Sequence, residues 1–377
     1  MARLTSIVGV ATLVLSKMAT ADYKLLKTYD ASNFFEEFKV VNITDPSSGF
    51  VEYVDAATAK EKSLAGIRNG QVYLGADSVT DNTKNGRPSV RVESTDFFTT
   101  GLFIADIAHM PGNSCGVWPA YWTSGPDWPN SGEIDIIEAI NLQKTPIITL
   151  HSGTNCKVAN TGSAAGSALI NANCNTGCSQ TTTDTQAYGD GFNAVKGGAY
   201  ATQWTTAGIA IWFFPRSNIP ADITAGTPDP TTWGKPLTNF VDSGSCDFAT
   251  HFKSNRAYAT QWTTAGIAIW FFPRSSIPAD ITAGTPDPTT WGKPLTNFVD
   301  SGSCDFATHF KSNRFIFNIN FCGWAGAVWS EFPTCSAKAA TCEEYVAQNP
   351  SAFTEAYWLI NSLKVYREGT TKRSFVA

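Results

Sequence analysis

Histidine, methionine and charge are scarce in this chain. Four histidines occur in 377 residues and no two cysteines stand in C-x-x-C spacing, so the usual donor sets of a zinc site are missing. Charged residues make up 16% of the sequence, with a net charge of −5 and no basic stripe, which argues against nucleic acid or an anionic membrane as partner. After the first 21 residues no apolar run is long enough to span a bilayer. Those 21 residues, with Arg3, an apolar run from Ile7 to Leu15 and Ala19-Thr20-Ala21, read as a secretory signal peptide cleaved after Ala21. A secreted, extracellular, soluble protein is expected, and Asn42-Ile43-Thr44 is then an N-glycosylation sequon at Asn42.

What is abundant is apolar and aromatic. At 43% hydrophobic and 12% aromatic, with 12 tryptophans, the chain can fill a large core. Helical periodicity is sparse. Short alternating runs at Ser89 to Glu93, Leu102 to Ala108 and Phe315 to Phe321 are punctuated by turn residues such as Asn85-Gly86, which predicts an all-β fold of antiparallel strands. In the last of these runs, Phe315, Phe317, Ile319 and Phe321 share one face while Ile316, Asn318 and Asn320 share the other. One helix is predicted near the C-terminus, where Thr341-Cys342-Glu343-Glu344 has the form of a capping box.

The stretch from Gly132 to Asn141 concentrates the chemistry. Glu133, Asp135 and Glu138 are separated by isoleucines, and β-branched filling favours a strand. On a regular strand Glu133 and Asp135 share a face while Glu138, five positions on, points away. One inserted residue, a β-bulge, would return Glu138 to that face. Two carboxyls side by side suit glycoside hydrolysis with retention: one ionised and nucleophilic, the other protonated and donating to the leaving oxygen. Crowded like charges cannot all ionise at neutral pH, which supplies the protonated partner. A solvated acidic strand or a cation site is the plainer alternative.

Just upstream stand Trp118-Pro119-Ala120-Tyr121-Trp122 and then Trp128-Pro129, rings of the kind that stack on sugar faces. With W-P-A-x-W followed by G-E-I-D-I-I-E, the sequence resembles glycoside hydrolase family 16, in particular fungal secreted endo-1,3(4)-β-glucanases of the laminarinase type. Stretches at Tyr29 to Phe35, Gly49 to Asp55 and Tyr357 to Tyr366 also resemble that family, so the likeness covers nearly all the mature chain. It implies a β-sandwich jelly roll of the concanavalin A-like type. It also implies Glu133 as nucleophile, Glu138 as acid and base, and Asp135 assisting.

The same resemblance assigns Arg91, Trp122, Trp128, His151 and Trp324 to the glucan cleft, whereas Trp118 is read as a core residue. Trp324 follows Cys322-Gly323 directly, without the Asp that the family commonly places before that tryptophan. The implied partner is a β-glucan polysaccharide, bound by a monomer. No cofactor or metal is required, and a structural calcium, as in some relatives, is not legible from the sequence. A wall-remodelling transglycosylase using the same residues, and a glucan-binding or inactive lectin-like domain, are the alternatives.

One feature departs from the family pattern. Residues 199–256 and 257–314 are the same text apart from Asn218 against Ser276, inside what is otherwise one catalytic domain over residues 22–377. Two near-identical copies are not a solenoid, which needs three or more stacked units. Only one copy is expected to occupy the sandwich, and an extruded apolar strand such as Ile267 to Phe272 is an aggregation hazard. The duplication also explains an odd count of nine cysteines: Cys246 and Cys304 are one position written twice, and eight remain without one copy.

Overall fold

A computed structural model describes residues 23–154, 156–160, 162–205, 208–242, 258–263, 266–271, 296–299 and 313–368. The leader segment of residues 1–21 lies outside the described residues.

Two antiparallel sheets carry the fold, as the alternating patterns predict. One follows the order Val158–Ala159, Thr238–Asp242, Gly208–Pro215, Gly198–Thr205, Gly101–His109, Tyr357–Glu368, Gln71–Gly75 and Ala65–Arg68, and Tyr23–Asp30 pairs with Tyr357–Glu368 as well. The other runs Ala168–Asn171, Cys178–Thr181, Ile147–His151, Glu133–Glu138, Val117–Ser124, Arg314–Phe321, Arg91–Ser94 and Phe38–Val40. The acidic strand is thus fourth of eight, with both its edges paired. Such a central place fixes register firmly, because a slip of one residue would turn every isoleucine out of the core.

The core lies between the sheets. From the second sheet it takes Ile134, Ile136, Ile137, Tyr121 and Phe317, each 1% exposed or less. Tyr121 stacks on Phe317 at 4.4 Å across neighbouring strands, and Trp358 of the first sheet meets Phe317 edge-on at 5.6 Å. Disulfides Cys115–Cys335, Cys174–Cys178 and Cys322–Cys342 pin loops around this core, and Cys156 is disulfide-bonded too.

The Phe315–Phe321 alternation is as expected, with one correction. Asn318 and Asn320 on its polar face are 7% and 3% exposed, because Trp122 and Tyr53 cover the first while Asp45 and Ser47 hold the second.

The predicted helix is Cys342–Gln348, where the Thr341 hydroxyl accepts from Glu344 N at 3.1 Å. Glu344 reaches back to Ala340 N rather than to Thr341, one residue short of the reciprocal box. A single helix was too few. Phe34–Glu37, Ala56–Glu61, Gly189–Ala194, Ala221–Ala225, Trp324–Ala327 and Pro333–Ser336 are helical as well. None exceeds two turns, so none could show a 3.6-residue period.

The first copy of the duplicated text supplies all but the first residue of Gly198–Thr205, and all of Gly208–Pro215 and Thr238–Asp242, to the first sheet. The second copy forms a separate three-stranded sheet of Tyr258–Thr263, Gly266–Phe271 and Thr296–Val299. Its register repeats the first: Tyr258 faces Phe271 as Tyr200 faces Phe213, and Gly266 faces Val299 as Gly208 faces Val241. The end of the second copy then returns to the main fold at Asn313, and Arg314 begins a central strand of the other sheet.

Candidate active site

The bulge is present. Glu133, Ile134 and Asp135 pair with Ser124, Thr123 and Trp122, after which Ile137 and Glu138 pair with Tyr121 and Ala120, leaving Ile136 unpaired. Ser124, Trp122 and Ala120 alternate along one face of their strand, so Glu133, Asp135 and Glu138 share the open face of the sheet. The isoleucines point to the core. Asp135 is buried at 3% exposure, and the two glutamates are half-buried.

Each carboxyl has its own company. Glu133 accepts from Trp128 Nε1, and His151 stands across from it on the neighbouring strand. Asp135 lies 3.5 Å from His151 Nε2. Glu138 accepts at Oε1 from Trp118 Nε1 at 2.7 Å.

Burial dominates their protonation. Glu138 is pushed up to about 7, chiefly by desolvation, with the Trp118 donor pulling the other way. Asp135 is driven well above the ordinary aspartate range by desolvation, then by the charges of Glu133 and Glu138. Glu133 is raised by desolvation too, but His151, the Asp135 hydrogen bond, Trp128 and Arg91 all oppose it. Glu133 therefore has the most partners favouring its anion, and it is the member of the row best placed to ionise. Asp135, holding a proton, serves as donor to it.

The remaining sequence-assigned residues divide into two groups. Trp128, 58% exposed, and His151 stand at the Glu133 end with ring centroids 6.1 Å apart. Trp122 donates to Asn318 Oδ1 at 2.9 Å and lies under the Arg91 guanidinium, 4.9 Å from its ring centre. Arg91 is not on an edge strand; it is gripped by Glu93 at 2.7 Å, and Glu93 also pairs with Arg314 at 2.7 Å. Trp324 does not meet the carboxylates. It stands edge-on to Trp118 at 6.0 Å, one ring further along.

Sequence reasoning placed Trp118 in the core; it is half-buried and hydrogen-bonded to the acid row. Asn318 and Glu93, which set Trp122 and Arg91, were not singled out either. The polar face of the Phe315–Phe321 alternation was the available signal for Asn318. Asn42 is exposed, as a glycosylation acceptor must be.

Among the described residues, Glu133, Asp135 and His151 are the group able to hold a metal ion, with ligand atoms within 4.8 Å of one another. Glu133 and Asp135 of this group also belong to the acid row on the bulged strand.

Comparison with known proteins agrees with this geometry. A family model described as XgeA-like, catalytic GH16 domain, matches residues 38–257 and again 255–366, the two stretches meeting where the second copy begins. An endo-1,3(4)-β-glucanase of Arthroderma benhamiae is 37% identical over 94% of this chain and 67% of its own length. A probable endo-1,3(4)-β-glucanase of Neosartorya fischeri is 36% identical over 98% of this chain and 49% of its own, so the chain spans about two thirds of the first relative and about half of the second.

Among solved structures, an elongating family 16 β-1,3-glucosyltransferase is 33% identical with a TM-score of 0.71, covering 92% of this chain and 100% of that one. Laminarinase 16A of Phanerochaete chrysosporium, solved with 6-O-glucosyl-laminaritriose in its donor and acceptor sites, is 34% identical with a TM-score of 0.65 over the same shares. With the acid row on a bulged central strand, and with these matches running nearly end to end, the chain belongs to glycoside hydrolase family 16.

Proposed function

We propose that this chain is a retaining endo-β-glucanase that cuts β-1,3 linkages, and β-1,4 linkages in mixed glucans, by double displacement. The observation that carries the reading is the bulge at Ile136, which sets Glu133 and Glu138 on one face, with more partners favouring the anion at Glu133 and burial holding Glu138 up to about 7. Glu133 attacks the anomeric carbon as the glycosidic bond breaks, and Glu138 gives its proton to the departing oxygen. Water then adds to the glycosyl-enzyme, Glu138 takes back a proton, and Glu133 leaves. Asp135 holds Glu133 in place and spreads its charge. Trp128 and Trp122 are the sugar platforms, with Arg91 and His151 beside them. Secretion as a monomer, with a glycan on Asn42, completes the proposal.

Endo-action is tested by following viscosity and reducing ends together on laminarin and on barley mixed-linked glucan. An early fall in viscosity with oligosaccharides of several lengths supports it; release of single sugars or dimers from chain ends overturns it. The rate also has a predicted pH limb. Glu138 must be protonated to act as acid, so kcat/KM declines as pH rises through about 7. A profile flat to pH 9 on laminarin contradicts that role.

The likeness to an elongating glucosyltransferase favours a second reading, in which a sugar acceptor outcompetes water at the glycosyl-enzyme. Products longer than the donor, formed without matching release of reducing ends, identify it.

A further inference from the structure

We propose that Trp118 is the positioning residue for Glu138, fixing its Oε1 so that Oε2 carries the catalytic proton toward the leaving group. The inference rests on the reading of Glu138 as the acid and base.

The geometry is specific. Trp118 lies on the strand paired with the acid row, two residues beyond Ala120, the cross-strand partner of Glu138. That diagonal places the indole within reach of the carboxyl, and Nε1 donates to Oε1 at 2.7 Å. Among the described residues this is the sole hydrogen bond that the Glu138 carboxyl makes. An indole N–H donates and never accepts. A protonated Glu138 therefore turns its carbonyl oxygen, the better acceptor, toward Trp118, which favours the proton on Oε2.

The ring itself is held from behind. Trp324 stands edge-on to it at 6.0 Å, and Asn320 is its partner on the adjoining strand. Gly323 backs it so closely that a Cβ there would come within 2.7 Å of Trp118 Cζ3, at a backbone φ of +50. Next to that glycine, Cys322 is tied to Cys342. A tryptophan clamped this way on three sides is a fixed reference for the side chain it touches. The clamp also gives Trp324 a role behind the carboxylate row, whichever sugar it meets.

The test separates proton donation from binding by leaving group. Trp118→Phe keeps the ring against Trp324 and removes the donor. On kcat/KM for aryl β-laminaribiosides, which reports the first step, the 2,4-dinitrophenyl substrate departs without a proton and should be hydrolysed at close to the parent rate. The phenyl substrate needs the acid and should fall by about 10–100-fold. With the donor gone the charged form of Glu138 loses support, so the alkaline limb should move to higher pH. Gly323→Ala, which displaces the ring and keeps the N–H, should show the same leaving-group dependence to a lesser degree.

Equal loss on both substrates, or none on either, overturns the positioning role. Glu138→Gln, run alongside, keeps the two readings apart. If Glu138→Gln depends on the leaving group and Trp118→Phe does not, only the positioning proposal falls. If Glu138→Gln loses both substrates equally, the acid assignment falls with it.

Discussion

Glu133→Gln is expected to lower kcat on laminarin by about 10⁴-fold or more, the scale seen when a covalent nucleophile is removed, while substrate binding is retained. The same substitution should raise the melting temperature by a few degrees at pH 7–8. Both effects come from one feature: a carboxyl held in the sheet where desolvation opposes its charge. The linkage sign follows from the raised folded-state values of Glu133, Asp135 and Glu138. Their stabilising contribution is complete below the ordinary carboxylate range near 4.5 and is lost as pH rises through the folded values, for Glu138 through about 7. The parent protein should therefore melt higher at pH 5.5 than at pH 8, with a smaller difference in Glu133→Gln. Activity retained in Glu133→Gln, or a melting temperature that climbs with pH over this window, counts against the assignment. Glu138→Ala gives the matching result for the acid: loss on laminarin that azide does not restore. Hydrolysis of a 2,4-dinitrophenyl glycoside, which needs no proton in the first step, is instead accelerated by azide attacking the glycosyl-enzyme in place of water.

Removing residues 257–314 should leave kcat/KM unchanged and raise the yield of soluble monomer several-fold. The first copy already fills the sandwich, and Ser254-Asn255-Arg256 is the same text as Ser312-Asn313-Arg314. Joined to Phe315, Asn255 can take over the bonds that Asn313 makes to Gly132 O at 3.0 Å and to Thr123 Oγ1 at 3.3 Å. Arg256 can likewise replace Arg314 against Glu93. Deleting residues 199–256 instead yields the same protein except for Ser in place of Asn218, so the question of which copy is native reduces to one residue. The gain in yield comes from the extra sheet. Tyr258–Thr263 and Thr296–Val299 each have one partner among the described residues, and open strand edges recruit other chains. Activity measured by reducing ends, with size-exclusion chromatography of the two forms, checks both halves. A folded, shortened chain without activity would sink the view that the second copy is dispensable.

Much of this site was legible because the spacing of Glu133, Asp135 and Glu138 makes sense on a strand only with one residue inserted, and Ile136 is that residue. The family likeness then assigned Trp122, Trp128, Arg91, His151 and Trp324; the structure gathers the first four on or beside that face and sets Trp324 against Trp118. Trp118 was hidden for a physical reason. An aromatic residue in an apolar run looks like core, and its bond to Glu138 runs diagonally across two strands whose register is known only once the bulge is placed. Asn318 and Glu93 were hidden likewise, since a buried polar side chain is explained by its partner on another strand. The short helices leave no period to detect. The duplicated text was plain in the sequence, but which copy the sandwich takes up depends on competing strand pairings that composition does not rank.

The most direct test of the central claim is the anomeric configuration of the first product, followed by proton nuclear magnetic resonance during hydrolysis of laminari-oligosaccharides. Double displacement through Glu133 predicts that the β-anomer appears first and then mutarotates. First appearance of the α-anomer would mean a single inverting displacement, and Glu133 could not be the nucleophile.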